Sequence, residues 1–583
     1  MWISALLFFS LSSFAAPLDA NIDPVWLRLL HFQGSKSEAE GLFLSPLGDR
    51  DPAAELQATI KAFQSDPKSQ CRFPARLLYL RSKAAIVDLP KIQCPEYETW
   101  RDSIHATGVE LIFASAFVNS PSSMYGHTML KFSRGGKTAG NSLLDYTLSF
   151  GADTGTSSGF SYMWQGLLGK FRGFFATAPF YLKVMEYTQI ENRDFWIYPI
   201  HLNSEQLELL LAHVWELKNV GFRYYFLKKN CAYFLLELLE VVRPQDEFVS
   251  HFPLWSVPMD TIRILQRADL LGVPSFRPSR FETLSLARKN LSGEESRRAK
   301  LLVDNPSEPV ANDSSATLQA AYEYFRYRYS SQPDSEAKAK IQHKILTALS
   351  ALPPTATASV PIPRAPDQGH FSSRVFLGAG INRQNSFSDF GYRGTLHDLL
   401  DDPGGYEDSS ELTMGDFRGR VEAGSVYLEH SDVLRIRSIP ARDSWIPKTS
   451  WTVRLGTDRA KDFACASWHC FYASLEGGPG LSFSLLSTKL FLLTELESDF
   501  GAPFAKHSRI GFGPTLGWQL NPFEWWRFLF EWDRRFDFLG DARGLSRLSG
   551  EQSIVLKTNL EFRLKSEIDR GYREAQASVY LLF

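Results

Sequence analysis

From about residue 370 onward, apolar and polar residues alternate with period two in segments of roughly 8 to 14 residues, punctuated by Gly, Pro, Asp and Asn. Across 554–564 one face carries Ile554, Leu556, Thr558, Leu560, Phe562 and Leu564, and the other carries Lys557, Asn559, Glu561 and Arg563. Trp526, Phe528, Phe530 and Trp532 alternate in the same way with Arg527, Glu531 and Asp533, and Leu434 and Ile436 with Arg435 and Arg437. About ten strands of this kind are expected, with eight or twelve as alternatives, each long enough to cross a bilayer at the usual tilt.

The final segment, 571–583, alternates Ala577, Val579, Leu581 and Phe583 with Gln576, Ser578 and Tyr580, and ends on Phe. A last strand closed by an aromatic residue resembles the terminal signature of bacterial outer-membrane barrels. The expected unit over 367–583 is therefore an antiparallel transmembrane β-barrel with its aromatic belts facing lipid. A barrel this small has little free lumen, so inward Arg, Lys, Glu and Asp should pair across it, making an anchor and not a porin. At the other end, residues 2–16 form an apolar run with small residues at Ser13 and Ala15, the pattern of an export signal spanning 1–20.

Between these ends the period changes. Leu207, Leu210, Leu211, Val214 and Leu217 recur at helical spacing over 203–218, with Asn203 and Gln206 placed as a capping box. After an aromatic segment, 232–242 again reads as helix, with Asn230 as its N-cap. Residues 21–100 read as a mainly helical N-terminal region, 101–245 as a mixed α+β domain, and 246–366 as helices (315–329 and 335–352) leading through a proline-rich spacer to the barrel.

Lys+Arg of 63 against Asp+Glu of 65 leaves a formal charge of −2, which excludes general nucleic-acid binding. No metal spacing and no phosphate-binding loop is present, so neither metal nor cofactor is expected. Five cysteines in an exported chain divide into two plausible pairs, Cys71 with Cys94 and Cys465 with Cys470, and one odd residue, Cys231. Cys231 follows the N-cap, where helix N–H groups, with Lys228 and Lys229 nearby, favour a thiolate and an acidic thiol. Its candidate partner is His127, in a turn entering a strand whose neighbour is expected at 142–150. Cysteine at a helix start facing histidine on a strand is a nucleophile and base arrangement.

Tyr125-Gly126-His127 followed about a hundred residues later by Asn230-Cys231 resembles the permuted papain-like group that includes NlpC/P60 and lecithin:retinol acyltransferase-like proteins. More closely, Ser123-Met124-Tyr125-Gly126-His127-Thr128, Glu191-Asn192-Arg193-Asp194-Phe195-Trp196 and Asn230-Cys231-Ala232-Tyr233 resemble the Lnb N-terminal periplasmic domain family, over roughly 100–245. That resemblance implies a thiol acyltransferase of the outer membrane, its catalytic domain facing the periplasm. Cys231 would take an acyl chain from phospholipid as a thioester and pass it to an amine, the N-terminus of a lipoprotein, with His127 as base and acid. Asp145, Ser149 or Asn141 would orient His127, Asp145 being preferred. Tyr125, Asn230 and Ser149 would serve substrate or oxyanion binding, with the Cys231 backbone N–H.

The stretch 151–182, rich in Gly and aromatics, suits a lipid interface and an aromatic core equally. Glu191, Arg193 and Asp194 read as a structural network. The competing functions are a peptidoglycan amidase or peptidase, which predicts an open polar cleft, a phospholipase, and a non-enzymatic assembly protein of the outer membrane.

Overall fold

The structure, a computed structural model, describes residues 23–583 except 84–88, 90, 117–123, 136–138, 158, 253–254, 311, 334, 354–358, 461–469, 505, 541–543 and 570–571. The expected export segment lies outside the described residues. The N-terminal region is helical, as its sequence suggests. Helix Pro52–Ser65 starts at Asp51, whose carboxylate accepts the N–H groups of Ala53 and Ala54, and helix Pro74–Ser82 carries the fully buried Arg76. Arg76 pairs with Glu55 at 2.5 Å, and its backbone N–H donates to Glu216 at 2.8 Å, tying this region to the next. A Cys71–Cys94 disulfide closes the segment. Cys470 is also disulfide-bonded, and Cys465 lies outside the described residues.

The middle domain is one antiparallel sheet of seven strands. Their order is 222–224, 171–179, 146–153, 127–133, 108–114, 195–200 and 275–277. Alternation splits its apolar residues between two layers. Leu111, Phe113, Leu130, Phe132, Leu148 and Phe150 pack with residues of helices Ser204–Glu216 and Cys231–Val242, whereas Ile112, Met129, Phe195 and Ile197 pack with Phe180, Val184 and Tyr187. The capping box at Asn203 and Gln206 forms.

Two expectations change here. The strand placed at 142–150 is Tyr146–Asp153, preceded by a 3-10 turn at Ala139–Leu144. The sheet also extends beyond 245, because Ser275–Arg277 pairs with Phe195–Ile200; three residues between Pro274 and Pro278 are too short to show alternation.

Four helices, Arg280–Lys289, Gly293–Asp304, Ser315–Arg328 and Glu336–Ser350, make a second core with Trp445 and Ile446 of a barrel turn. The end of the proline-rich spacer packs into the structure. Arg364 pairs with Asp402, and Asp367 accepts the Tyr198 hydroxyl at 2.6 Å.

The barrel has twelve strands, not about ten, and closes by pairing Arg374–Asn382 with Tyr572–Leu582. The miscount has a physical cause. A two-residue turn preserves period two, so 554–564, which alternates like one strand, is a hairpin of Leu545–Lys557 and Leu560–Asp569. Leu475, Phe512, Phe530, Trp532 and Val579 are exposed on the outside, whereas inward charges are buried and paired, such as Arg420 with Asp389 at 2.7 Å and Arg454 with Asp432 at 2.6 Å. The turn 398–409 folds into the mouth, where Asp401 meets Arg393 at 2.6 Å and Arg374 at 3.2 Å. A cavity of about 270 Å³, lined by charged residues, remains in the lumen.

Candidate active site

Cys231 opens its helix because Asn230, in extended conformation, caps it. The Asn230 side-chain oxygen accepts the N–H groups of Ala232 at 3.0 Å and Tyr233 at 3.5 Å. The amide nitrogen of the same side chain donates to the carbonyls of Phe226 at 3.1 Å and Ser256 at 2.8 Å. Asn230 is thus a fixed structural cap. Cys231 is a free thiol, 2 % exposed.

The Thr128 hydroxyl donates toward the Cys231 sulfur at 3.9 Å, and backbone N–H groups of Thr128 and Ala232 also favour the thiolate. Burial outweighs them and pushes the thiol above its ordinary pKa. The expected acidic thiol is therefore corrected. Lys229, expected to assist it, pairs with Glu38 at 2.7 Å.

His127 begins the strand that carries Thr128. Neighbouring strand residues point to opposite faces, so while Thr128 meets the sulfur, the His127 ring stacks on Tyr187 at 5.6 Å and 14°. The Arg193 guanidinium lies over the same Tyr187 ring at 4.8 Å and is held by the carbonyls of Ser115 at 2.6 Å and Ala114 at 3.0 Å. Desolvation first, then Arg193 and Lys183, lowers the His127 pKa to about 3, so the ring is neutral. Thiol and imidazole therefore both lie at this end of the sheet and both are uncharged, the sulfur meeting Thr128 and the ring meeting Tyr187. Gly126 permits the entry, with φ of +91°, and a Cβ there would collide with Phe113.

The other candidates go elsewhere. Asp145 precedes its strand and pairs with Lys131 at 3.6 Å, also bonded to Glu110. Lys131 is four residues beyond His127, about 13 Å of strand rise, so Asp145 does not orient the ring. The Tyr125 hydroxyl bonds to the sulfur of Met414 on the barrel, which corrects its oxyanion assignment. Ser149 lies opposite Ala176 on the strand Tyr146–Asp153, its side chain half-buried. Arg193 pairs with Glu191 at 3.0 Å, and Asp194 accepts the Ser279 N–H at 2.7 Å, the structural network the sequence suggests.

Sequence reasoning missed Thr128, Tyr187 and Tyr224. The Tyr224 hydroxyl faces the Cys231 backbone N–H and, being buried, keeps its proton. Thr128 follows the motif histidine directly, which was the one available signal.

A cleft of about 1010 Å³ separates this end of the domain from the barrel mouth. Its walls include Met124, Tyr125, Asn192, Asp194, Glu407 and Lys448. Among the described residues, His370, His397 and Asp401 have ligand atoms within 4.8 Å of one another, yet the Asp401 charge is already met by arginines. Their separation in sequence hid this grouping.

Residues 96–268 match the Lnb N-terminal periplasmic domain. Residues 20–83 and 363–583 match two domains of unknown function, DUF7843 and DUF7840. The chain thus joins a segment that matches the Lnb N-terminal periplasmic domain to a closed twelve-stranded barrel, the organisation of an outer-membrane protein with a periplasm-facing domain. No curated protein matches the sequence.

Among solved structures, LpxR from Salmonella typhimurium is 10% identical over 36% of this chain and 100% of its own, with TM-score 0.23. An outer membrane channel from Pseudomonas putida F1 is 8% identical over 40% and 100%, with TM-score 0.25. A KdgM porin in complex with disordered oligogalacturonate is 7% identical over 36% and 99%, with TM-score 0.22. These likenesses are too distant to bear on activity.

Proposed function

We propose that the protein is a thiol-dependent acyltransferase of papain-like type that moves an acyl chain from phospholipid to an amine, the N-terminus of a lipoprotein. The observation that carries this reading is the helix-start thiol of Cys231 beside the His127 strand, at the end of the domain that meets the barrel. Asn230 binds Ser256, and the adjoining Trp255 packs on Gly394 and Gly415 of the barrel wall. That contact ties the Cys231 helix start to the barrel wall, which supports a donor taken from the surrounding membrane.

In this reading the His127 ring turns from Tyr187 toward the sulfur when substrate binds, and the Cys231 S–H proton passes to it as sulfur bonds to the ester carbonyl carbon. The Tyr224 hydroxyl, its oxygen accepting the Cys231 N–H, donates its hydrogen to the oxyanion. Collapse breaks the ester C–O bond, and the imidazolium protonates the departing lysophospholipid alkoxide, leaving a thioester. The amine then attacks the thioester carbon, its proton goes to His127, and the leaving sulfur recovers it as thiol. The cleft beside Tyr125, with both apolar and charged walls, is the approach for the acceptor. Its charged residues Asp194, Glu407 and Lys448 support a second reading, amide cleavage of a peptidoglycan stem.

Intact mass of the purified protein after incubation with mixed-chain phospholipid tests the proposal. One hydroxylamine-labile acyl chain is expected, absent in Cys231→Ser and His127→Ala. No adduct and no lysophospholipid from folded protein whose thiol still alkylates would overturn it in favour of the second reading.

A further inference from the structure

The aromatic stretch 151–182 divides in two. Phe171 and Phe180 are core, but helix Gly159–Leu167 and its following turn expose Trp164 by 52 %, Leu167 by 38 % and Leu168 by 47 %. The inner side of the helix is fixed: Tyr162 meets Phe226 at 5.0 Å, and Gly166 accepts the Phe226 N–H at 3.0 Å and leaves no room for a Cβ beside that ring. The exposed apolar side is thus held rigidly outward, with exposed Lys170 at its edge.

Strand register says where that side lies. Ala114 pairs with both His127 and Phe195, Asp153 with Arg172, and Phe171 with Tyr224, so all these residues share one end of the sheet. The helix lies in the connection from Asp153 to Phe171, at that end. The same end touches the barrel wall, through Tyr125 on Met414 and Trp255 on Gly394 and Gly415. To one side of the His127 strand, Asp194 and Ser279 look into the cleft lined by the turns at 402–409, Lys448 and Glu524, over the lumen. To the other side, two strands and about 10 Å across the sheet from the His127 strand, comes the helix. What lies beyond a barrel wall at this level is the periplasmic leaflet.

We propose that Trp164, Leu167 and Leu168 form a lipid-contacting surface seated in the periplasmic leaflet of the membrane that holds the barrel. Tryptophan beside leucine with a lysine at the edge suits the boundary between headgroups and acyl chains. The surface steadies the domain on the leaflet and places the Cys231 end of the sheet against lipid. It rests on the barrel's membrane placement and does not require acyl transfer.

The test is photocross-linking of the full chain in phospholipid nanodiscs, with p-benzoylphenylalanine replacing Trp164. Lipid-facing Trp518 of the barrel is the positive control. Leu144, 55 % exposed but at the opposite end of the sheet, is the negative control. Light-dependent adducts of phospholipid mass are expected at 164 and 518 and not at 144. An adduct at 518 with none at 164, or equal yields at 164 and 144, would overturn the proposal. Because the readout needs no turnover, the surface and the thioester can each fail while the other stands.

Discussion

The barrel lumen and the sheet domain both bury titratable side chains, by opposite means. In the lumen every charge described above has an opposite charge within hydrogen-bond reach, as with Arg393 and Asp401 at 2.6 Å or Arg509 and Asp499 at 2.7 Å. Desolvation is offset pair by pair, and the result is a rigid scaffold. At the end of the sheet, Cys231 and His127 are held uncharged instead: burial raises the thiol, and burial with two nearby cations lowers the imidazole. Burial with paired charges makes an anchor. Burial of a thiol and an imidazole as uncharged groups is the arrangement that the proposed chemistry uses.

That contrast can be broken at either region. Largest is the loss of the nucleophile: Cys231→Ala should lower acyl transfer by about 10³-fold or more, read as amide product per unit time, with the barrel still folded by its gel shift on heating. Removing one lumen partner comes next. Asp401→Ala leaves Arg393, Arg374 and Arg563 to share Asp398 and should cost about 3 kcal/mol, seen as a lower midpoint of heat-induced unfolding; an unchanged midpoint would mean that the lumen charges are solvated and the contrast is false.

Tyr224→Phe removes the proposed oxyanion donor and should lower the acylation rate about 10²-fold while leaving thiol alkylation unchanged. The pH dependence sharpens the domain side. With the thiol raised above its ordinary pKa, alkylation of Cys231 should climb about tenfold per pH unit through neutrality and past pH 9. With His127 near 3, that group adds no break between pH 5 and 8. A plateau near neutral would reveal a thiolate–imidazolium pair and break the contrast. The smallest effect is Thr128→Val, which removes the hydroxyl facing sulfur and should slow alkylation about fivefold at fixed pH, from about 1 kcal/mol of hydrogen bonding.

Much of this was legible in one dimension. Alternating aromatics and charges told the barrel, because lipid outside and ion pairs inside impose period two on every strand. Asn230 told the start of the Cys231 helix, because a cap acts within three residues. The preferred orienting residue failed because Asp145, close in expected register, is drawn to Lys131 by charge. Tyr187 and Tyr224 carry no local mark, since what distinguishes them is the ring or amide each meets across the fold.

The sequence by itself therefore determined the exported barrel architecture, the disulfide at Cys71 and Cys94, the capped helix and the odd cysteine, all consequences of periodicity, capping and cysteine arithmetic. Only the tertiary structure decided that twelve strands close, that Thr128 and not His127 touches the sulfur, that the thiol rests protonated, and that the Cys231 end of the sheet meets the barrel wall. Those outcomes depend on burial and on register between distant strands, and neither is a property of neighbouring residues.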